Sequence, residues 1–291
     1  MKKTIFCFIF PCFIWCMGIQ TMYVPQSASL LAKSSTGIAQ HYSVNPANIY
    51  KTKQFFSFSK NDWLVDTKGQ KISYLFNTIN NHKAYFSVET LINDKIPIYG
   101  IVANDNPIGY FDTYWYSIEY SQAYSLDELF SLETNISIGY KMKLNLSKLY
   151  AENITNYSFD VGLNKIFNEN FSLGFVINNL SSNFSSSIDR SDLYSDSPLP
   201  GIGLNYRMPK SYLDFSVDLL YQNNYYLKKI SVNTLFPYAN IILGLSESDN
   251  YSNFSYGVSF NFKDWEIIYA SLKHEDSSLG TPVSIEISKY F

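Results

Sequence analysis

The chain has 291 residues, of which 46% are hydrophobic and 18% aromatic (25 Tyr and 22 Phe), while only 16% are charged and the net charge is -3. Few charges beside many aromatics exclude a disordered chain, and the lack of a basic excess excludes the electrostatic footprint of a nucleic-acid binder. Mean hydropathy is -0.11, too polar for a bundle of membrane helices but expected of a strand wall with one face in lipid and the other facing a polar interior.

In chain order, the first feature is a leader. Lys2 and Lys3 precede an apolar run from Ile5 to Trp15, too short to span a bilayer and typical of a secretory signal. Residues 1–18 are assigned to it, with cleavage placed anywhere up to residue 28. All three cysteines, Cys7, Cys12 and Cys16, lie inside, so the mature chain has no thiol chemistry to offer. The bulky Phe13-Ile14-Trp15 argues against lipidation of Cys16.

Residues 19–53 form a separate N-terminal segment. Gln26 to Lys33 can make a short helix, and Ser34 to Tyr50 is small, polar and irregular. Within it, Asn45-Pro46-Ala47 predicts a rigid turn, because Asn bonds nearby backbone and Pro fixes its own φ. The plain alternative is a turn leading into the first strand.

From residue 54 onward, alternation at period 2 dominates. Ile136, Ile138, Tyr140, Met142, Leu144 and Leu146 alternate with Ser137, Gly139, Lys141, Lys143, Asn145 and Ser147. Such a run exceeds the usual five or six residues of a soluble strand and suits the nine to eleven of a tilted membrane strand. Strands are expected at 54–64, 70–79, 82–92, 110–121, 131–147, 154–166, 170–183, 199–209, 211–221, 224–236, 238–246, 251–262, 264–274 and 282–291. Fourteen is an even number, as a single-chain bacterial barrel requires. Short turns at 167–169, 209–210, 236–237 and 263–264 alternate with longer connections at 93–109, 122–130, 184–198 and 275–281. The expected fold is all-β: a transmembrane antiparallel up-and-down barrel of about fourteen strands over 54–291, with the segment 19–53 sitting in or at the barrel, where the rigid turn at Asn45-Pro46-Ala47 could hold a hatch in place.

Alternation also sorts the charges. Lys141, Lys143, Asp160, Asp214, Asp218 and Glu286 lie opposite apolar neighbours and so face the lumen, since an ionised lysine or arginine on the lipid face costs about 2–4 kcal/mol at the midplane. They are either a polar path or gate, or a mutually satisfied network filling a narrow barrel. No catalytic constellation stands out: His41, His82 and His274 are scattered without ligand spacing, and Gly-x-Ser-x-Gly does not occur,. No enzyme activity, cofactor or metal is expected. The chain ends Val283-Ser-Ile-Glu-Ile-Ser-Lys-Tyr-Phe291, an alternating strand closed by an aromatic. It resembles the C-terminal signal of bacterial outer-membrane barrels, with Phe291 as the signal residue.

Several pieces, in order, resemble the FadL-like barrels and, within them, the PorV/PorQ branch. These are the small-residue stretch Ala28–Ala39 followed by Asn45-Pro46-Ala47; Phe159-Asp160-Val161-Gly162-Leu163; Ser172 to Leu180; Leu199-Pro200-Gly201; and Tyr269-Ala270 with Leu279-Gly280-Thr281. The family's glycine-rich run is reduced here to Ser34-Ser35-Thr36-Gly37, Leu180 is followed by serine rather than glycine, and Lys289 stands where an aromatic is common. The resemblance implies a bacterial outer-membrane protein that contacts lipid and the barrel-assembly machinery. For the PorV/PorQ branch it implies an accessory of type IX secretion, meeting secretion-system components and cargo proteins. For FadL-like barrels in general it implies a channel for hydrophobic small molecules, with the N-terminal segment occluding the lumen.

Overall fold

The computed structural model describes residues 27–63, 67–78, 82–99, 106–131, 133–149, 152–186, 198–222, 225–248, 251–273 and 281–291. The leader with its cysteines, His274 and the Leu279-Gly280 pair lie outside the described residues. Fourteen strands close into one antiparallel barrel in which every strand pairs with its sequence neighbours and the first meets the last. They are β1 (Phe55–Asp62), β2 (Lys68–Asn77), β3 (Lys83–Ile98), β4 (Gly109–Ser125), β5 (Ile136–Leu149), β6 (Glu152–Asn168), β7 (Phe171–Ser186), β8 (Leu199–Arg207), β9 (Leu213–Gln222), β10 (Tyr225–Thr234), β11 (Ala239–Ser248), β12 (Tyr251–Phe262), β13 (Trp265–Lys273) and β14 (Val283–Tyr290). The seam runs from Phe55 opposite Tyr290 to Asp62 opposite Val283, and beyond it the Phe291 N–H donates to the Gln54 carbonyl at 3.0 Å. Among the described residues no helix is long and apolar enough to cross a membrane.

The two faces of the wall differ as alternation predicts. On β1, Phe56 and Phe58 are 45% and 40% exposed while Ser57 and Ser59 are buried. Aromatics crowd the outer face near both rims. Phe262, Trp265, Phe236, Tyr238 and Tyr212 mark the rim carrying the chain ends, and Tyr110, Tyr157, Tyr226 and Tyr221 lie toward the other. An aromatic band at each interface is the habit of membrane barrels, where amphipathic rings sit at headgroup level. At the terminus, Lys289 lies over both the Trp265 and Phe291 rings at 5.5 Å.

Three expectations need correction. Residues 131 and 133–135 are not strand: β4 runs on to Ser125, a short helix α2 (Leu126–Phe130) follows, and Ser131 and Asn135 take positive φ. The Asp127 carboxylate accepts the N–H groups of Thr134 and Asn135, pinning the turn. This connection is long yet lies at the rim of the chain ends, so that rim does not carry short turns alone. The connection expected at 93–109 is also partly strand, for β3 reaches Ile98 and β4 begins at Gly109. A bulge between Asn93 and Ile96 hides this from a period-2 reading, because one extra residue inverts the alternation.

Strand length varies around the wall. β3, β4, β6 and β7 have 16 or 17 residues, whereas β1 and β14 have 8. At about 3.3 Å per residue, the β3–β7 side stands well above the seam at the rim away from the chain ends.

Candidate functional site

The lumen holds the N-terminal segment. Helix α1 (Ala28–Ala32) is capped by Ser27, whose side chain accepts from Leu30 N–H. A single 3-10 turn covers Pro46–Lys51, capped by Asn45 and opened by Pro46 at its first position, where a missing N–H is harmless. The expected helix at 26–33 is therefore present but shorter, and the stretch taken as irregular contains this turn. Between them the chain follows the inside of the wall and touches every strand from β14 back to β3.

The path can be followed contact by contact. Glu286 on β14 accepts the Ser29 N–H at 3.0 Å. Ala28, Leu31 and Ala32 pack on Ile242, Ile268, Ala270 and Leu272, with Trp63 at the edge. Ser255 on β12 donates to the Ala32 carbonyl at 2.9 Å. Lys229 on β10 donates to the Ser35 carbonyl at 3.4 Å. Asp218 on β9 accepts the Gly37 N–H at 2.6 Å and the Ile38 N–H at 3.1 Å, and Asp214 accepts the Gln40 side-chain amide at 2.6 Å. Lys141 on β5 donates to the Ser43 carbonyl at 2.6 Å, and Lys83 on β3 to the Thr52 carbonyl at 2.7 Å.

Asn45 is the tightest point. Wholly buried, its amide donates to the carbonyls of Ile38 at 2.7 Å, Leu163 at 3.1 Å and Phe175 at 3.3 Å, and its oxygen accepts the Ala47 N–H at 3.0 Å. It thereby bridges the hatch to β6 and β7. Asn48 donates to the Ile38 and His41 carbonyls, and Asn164 on β6 donates at 2.7 Å to both the Ala39 carbonyl and Asn48. Three amides thus knot residues 37–48 to the wall; each such bond is worth about 0.5–1.5 kcal/mol net.

Glycines let the hatch come this close. A Cβ on Gly139 would meet the backbone of Pro46 and Ala47, one on Gly162 the Asn45 amide, one on Gly174 the Ile38 carbonyl, and one on Gly244 the Lys33–Ser34 backbone. Gly201, Gly203 and Gly257 likewise face Ile38, Ala39 or Ala32. A wall glycine where another backbone approaches is the expected device. In the hatch, Gly37 has φ +152°, a conformation open to glycine.

The six lumen charges read from sequence fall into two groups. Lys141 lies 3.3 Å from Asp160 and 3.9 Å from Glu119, and Lys143 lies 3.9 Å from Asp160. Asp214, Asp218 and Glu286 stand apart, each hydrogen-bonded to a hatch residue. Alternation could equally have pointed to Lys71, Glu89 and Glu119, which lie opposite apolar neighbours in the same way. Lys71 and Glu89 form a direct ion pair. The wall glycines and Asn164 carried no such signal, because nothing in one strand announces what lies against it. Two hatch groups are strongly affected by their surroundings. Burial, with Lys33, Lys71 and Lys141 nearby, holds His41 well below the usual imidazole range, and its Nδ1 accepts the Ser43 N–H at 3.2 Å. Burial also lowers Lys33, with Asp214, Glu266 and Asp218 opposing. His82 instead packs edge-on against Tyr124. Among the described residues no group of His, Cys, Asp or Glu could hold a metal ion.

β6 and β7 carry a second irregularity. Their register shifts between Phe159 and Val161, Asn179 has φ +60°, and Asp160 accepts the Asn179 N–H at 2.8 Å. The wall ladder is thus interrupted at the height of the charged cluster.

No protein-family model matches the chain, and no curated protein matches it. The fold, however, is shared with solved membrane channels. The toluene transporter TbuX of Ralstonia pickettii superposes with a TM-score of 0.64 at 10% identity, covering 91% of this chain and 98% of that one. The toluene transporter TodX of Pseudomonas putida gives 0.62 at 9% identity, with 92% and 98% covered. The monoaromatic hydrocarbon channel CymD gives 0.61 at 10% identity, with 91% and 97% covered. The chain is a closed fourteen-strand barrel that shares its fold with these solved toluene transporters and this monoaromatic hydrocarbon channel, and at these identities the likeness is one of fold.

Proposed function

We propose that this protein is a bacterial outer-membrane channel for small hydrophobic molecules, closed by residues 27–53 acting as a hatch. The observation that carries the reading is the placement of that segment, wound inside a closed barrel and bound to wall side chains largely through its own backbone. A segment held in this way can leave and return without unfolding the wall. Solved channels of the same fold, described as transporters of toluene and other monoaromatic hydrocarbons, support it. So does the apolar cluster of Ile38, Val44, Val176, Leu220 and Leu227 beside the hatch. Asn45, Pro46 and Ala47 form the anchor of the hatch in this reading. Lys141, Lys143 and Asp160 form its polar backing, and Asp214, Asp218 and Glu286 its clasps. Outer-membrane lipid surrounds the aromatic bands, and Phe291 is the residue offered to the barrel-assembly machinery.

The test is uptake of radiolabelled toluene by a deletion strain, complemented with wild type or with a variant whose hatch is cross-linked to the wall by cysteines in place of Ser34 and Ser255, whose hydroxyls lie 2.7 Å apart. Loss of uptake in the deletion and the cross-linked strain, restored by wild type, is expected. Uptake unchanged by deletion would overturn the proposal.

A second reading rests on the PorV/PorQ resemblance: an accessory of type IX secretion, handling cargo proteins at the surface. One structural feature favours it. The tall β3–β4 ribbon presents Ile108 and Tyr110, 71% and 63% exposed, above the shorter strands, as a docking surface would. Cargo display in the same deletion strain separates the two. Lost display with normal toluene uptake would favour secretion.

A further inference from the structure

Trp115 stands on the lumen face of β4, beyond the charged cluster as seen from the hatch. It belongs to one cross-strand row: Leu91 of β3 pairs with Trp115, and Trp115 with Ser147 of β5. All three are buried, and among the described residues neither the Trp115 Nε1–H nor the Ser147 hydroxyl has a hydrogen-bond partner. Leaving a buried donor unmet is costly. An indole N–H can donate and nothing else, so this row calls for an acceptor that the described residues do not bring.

The charge balance around the row narrows the choice. Moving toward the hatch, the next row holds Glu89, Ser117, Asn145 and Asn156, and the one after it Ser87, Glu119, Lys143 and Ser158. The lysines here are already answered: Lys71 by Glu89, Lys141 by Asp160 and Glu119, and Lys143 by Asp160. Three cations face three carboxylates. Among the described residues of these rows no positive charge is left for an anion, and the unmet hydrogen-bonding groups the argument uses, those of Trp115 and Ser147, are neutral. Ser158 adds one more, a buried hydroxyl without a partner beside Lys143. The indole ring and Leu91 supply the apolar surface next to it.

We infer that the row Leu91, Trp115 and Ser147 is a binding site for a neutral amphipathic molecule, one with an apolar body and an acceptor oxygen, such as an aromatic ketone, alcohol or ester. This rests on the channel reading and sharpens it. A bare hydrocarbon would leave the indole N–H unmet, and a carboxylate would enter a cluster with no cation to spare. The acceptor oxygen takes the Trp115 N–H, the Ser147 hydroxyl adds a second bond, and the body lies on Leu91.

The test uses the full-length protein in nanodiscs, titrated by calorimetry with three probes of similar shape: acetophenone, cumene and benzoate, with empty nanodiscs subtracted. Trp115→Phe keeps a ring and removes the donor, and heat-modifiable migration checks that the variant is folded. Acetophenone is expected to bind Trp115→Phe about five- to tenfold more weakly than wild type, the range a single hydrogen bond commonly gives. Cumene is expected to bind both alike, and benzoate more weakly than acetophenone. Ser147→Ala is expected to show a smaller loss for acetophenone alone. Equal acetophenone affinity in wild type and Trp115→Phe, or benzoate as the tightest probe, would overturn the site and leave the channel standing. Failure of all three probes to bind, together with toluene uptake unaffected by deletion, would overturn both.

Discussion

The two sides of the lumen use charge in opposite ways. On β2–β6, Lys71, Glu89, Glu119, Lys141, Lys143 and Asp160 answer one another; of these six Lys141 also bonds Ser43 of the hatch, and Lys83 at the rim bonds Thr52. On β9–β14, Asp214, Asp218, Lys229 and Glu286 spread out, and each is bonded to a hatch residue instead. The first arrangement makes a rigid wall, since removing one partner strands a buried charge. The second makes a clasp, since each charge can exchange a hatch N–H or carbonyl for water. The same few residue types, on the same kind of strand, give a half whose charges answer one another and a half whose charges answer residues 27–53, which on the proposed reading is the half that lets go.

The sharpest way to break this contrast is a change that expels the hatch without touching any charge. Gly174→Val places side-chain atoms where the Ile38 carbonyl lies. It should unseat the middle of the hatch and raise the conductance of the barrel in planar bilayers several-fold, with the wall intact; unchanged conductance would show the cradle to be slack. Next comes the fixed half. Lys141→Met leaves Glu119 and Asp160 buried without their nearest cation, and removing one partner of such a pair costs about 3–5 kcal/mol. Thermal unfolding of the whole barrel should move down. A shift no larger than that of Asp218→Asn would erase the distinction between the halves.

Asp218→Asn is the matching test of the releasable half. The amide can accept at only one atom and turns an NH2 toward a hatch N–H. Loss of a hydrogen bond to a charged group is worth about 1.5–3 kcal/mol. Hydrogen exchange at residues 29–38 should quicken, while the barrel melts as before. Exchange rising equally at 45–50 would mean that the hatch moves as one piece.

His41 gives a smaller, pH-dependent effect. Docked, it stays neutral well below its ordinary value of 6.5; released into water it titrates near that value. Below pH 6.5 the released state therefore binds more protons, and docking weakens as pH falls. Hatch protection should drop on going from pH 7 to pH 5, and His41→Gln should flatten that slope. The smallest effect expected is at the terminus. Lys289→Ala removes two cation–ring contacts, each worth about 0.5–1 kcal/mol at an exposed site, and should lower the melting temperature by a few degrees at most.

Much of the barrel was legible in the chain, for a physical reason. A strand between lipid and lumen writes its two environments into every second residue, so β5, β6 and β12 could be read by eye. The wall failed to be legible where that rule is suspended: at the Asn93–Ile96 bulge, where one residue inverts the pattern, and at Ser125–Asn135, where α2 and two positive-φ residues intervene. The hatch was legible only as a segment unlike the rest. That Asn45 reaches the carbonyls of Leu163 and Phe175, or that Gly162 makes room for Asn45 and Gly174 for Ile38, is a fact about pairs of residues more than a hundred positions apart, and no local pattern records it. Lumen-facing charge could be assigned from alternation; whether a charge answers another charge or the hatch could not.

The order of the hatch contacts has a consequence for how the molecule is put together. Going down the hatch from residue 52 to residue 29, its partners climb through the wall: Lys83, Gly139, Asn164, Gly174, Asp218, Lys229, Ser255 and Glu286. The separations grow from 31 residues for Thr52 with Lys83 to 257 for Ser29 with Glu286. In a loose chain the wider closure would cost about 2 kcal/mol more in loop entropy. The mirrored order removes most of that penalty, since each new contact falls beside one already made. Hatch and wall can close like the two sides of a zip, and no crossing of one by the other is needed at any stage.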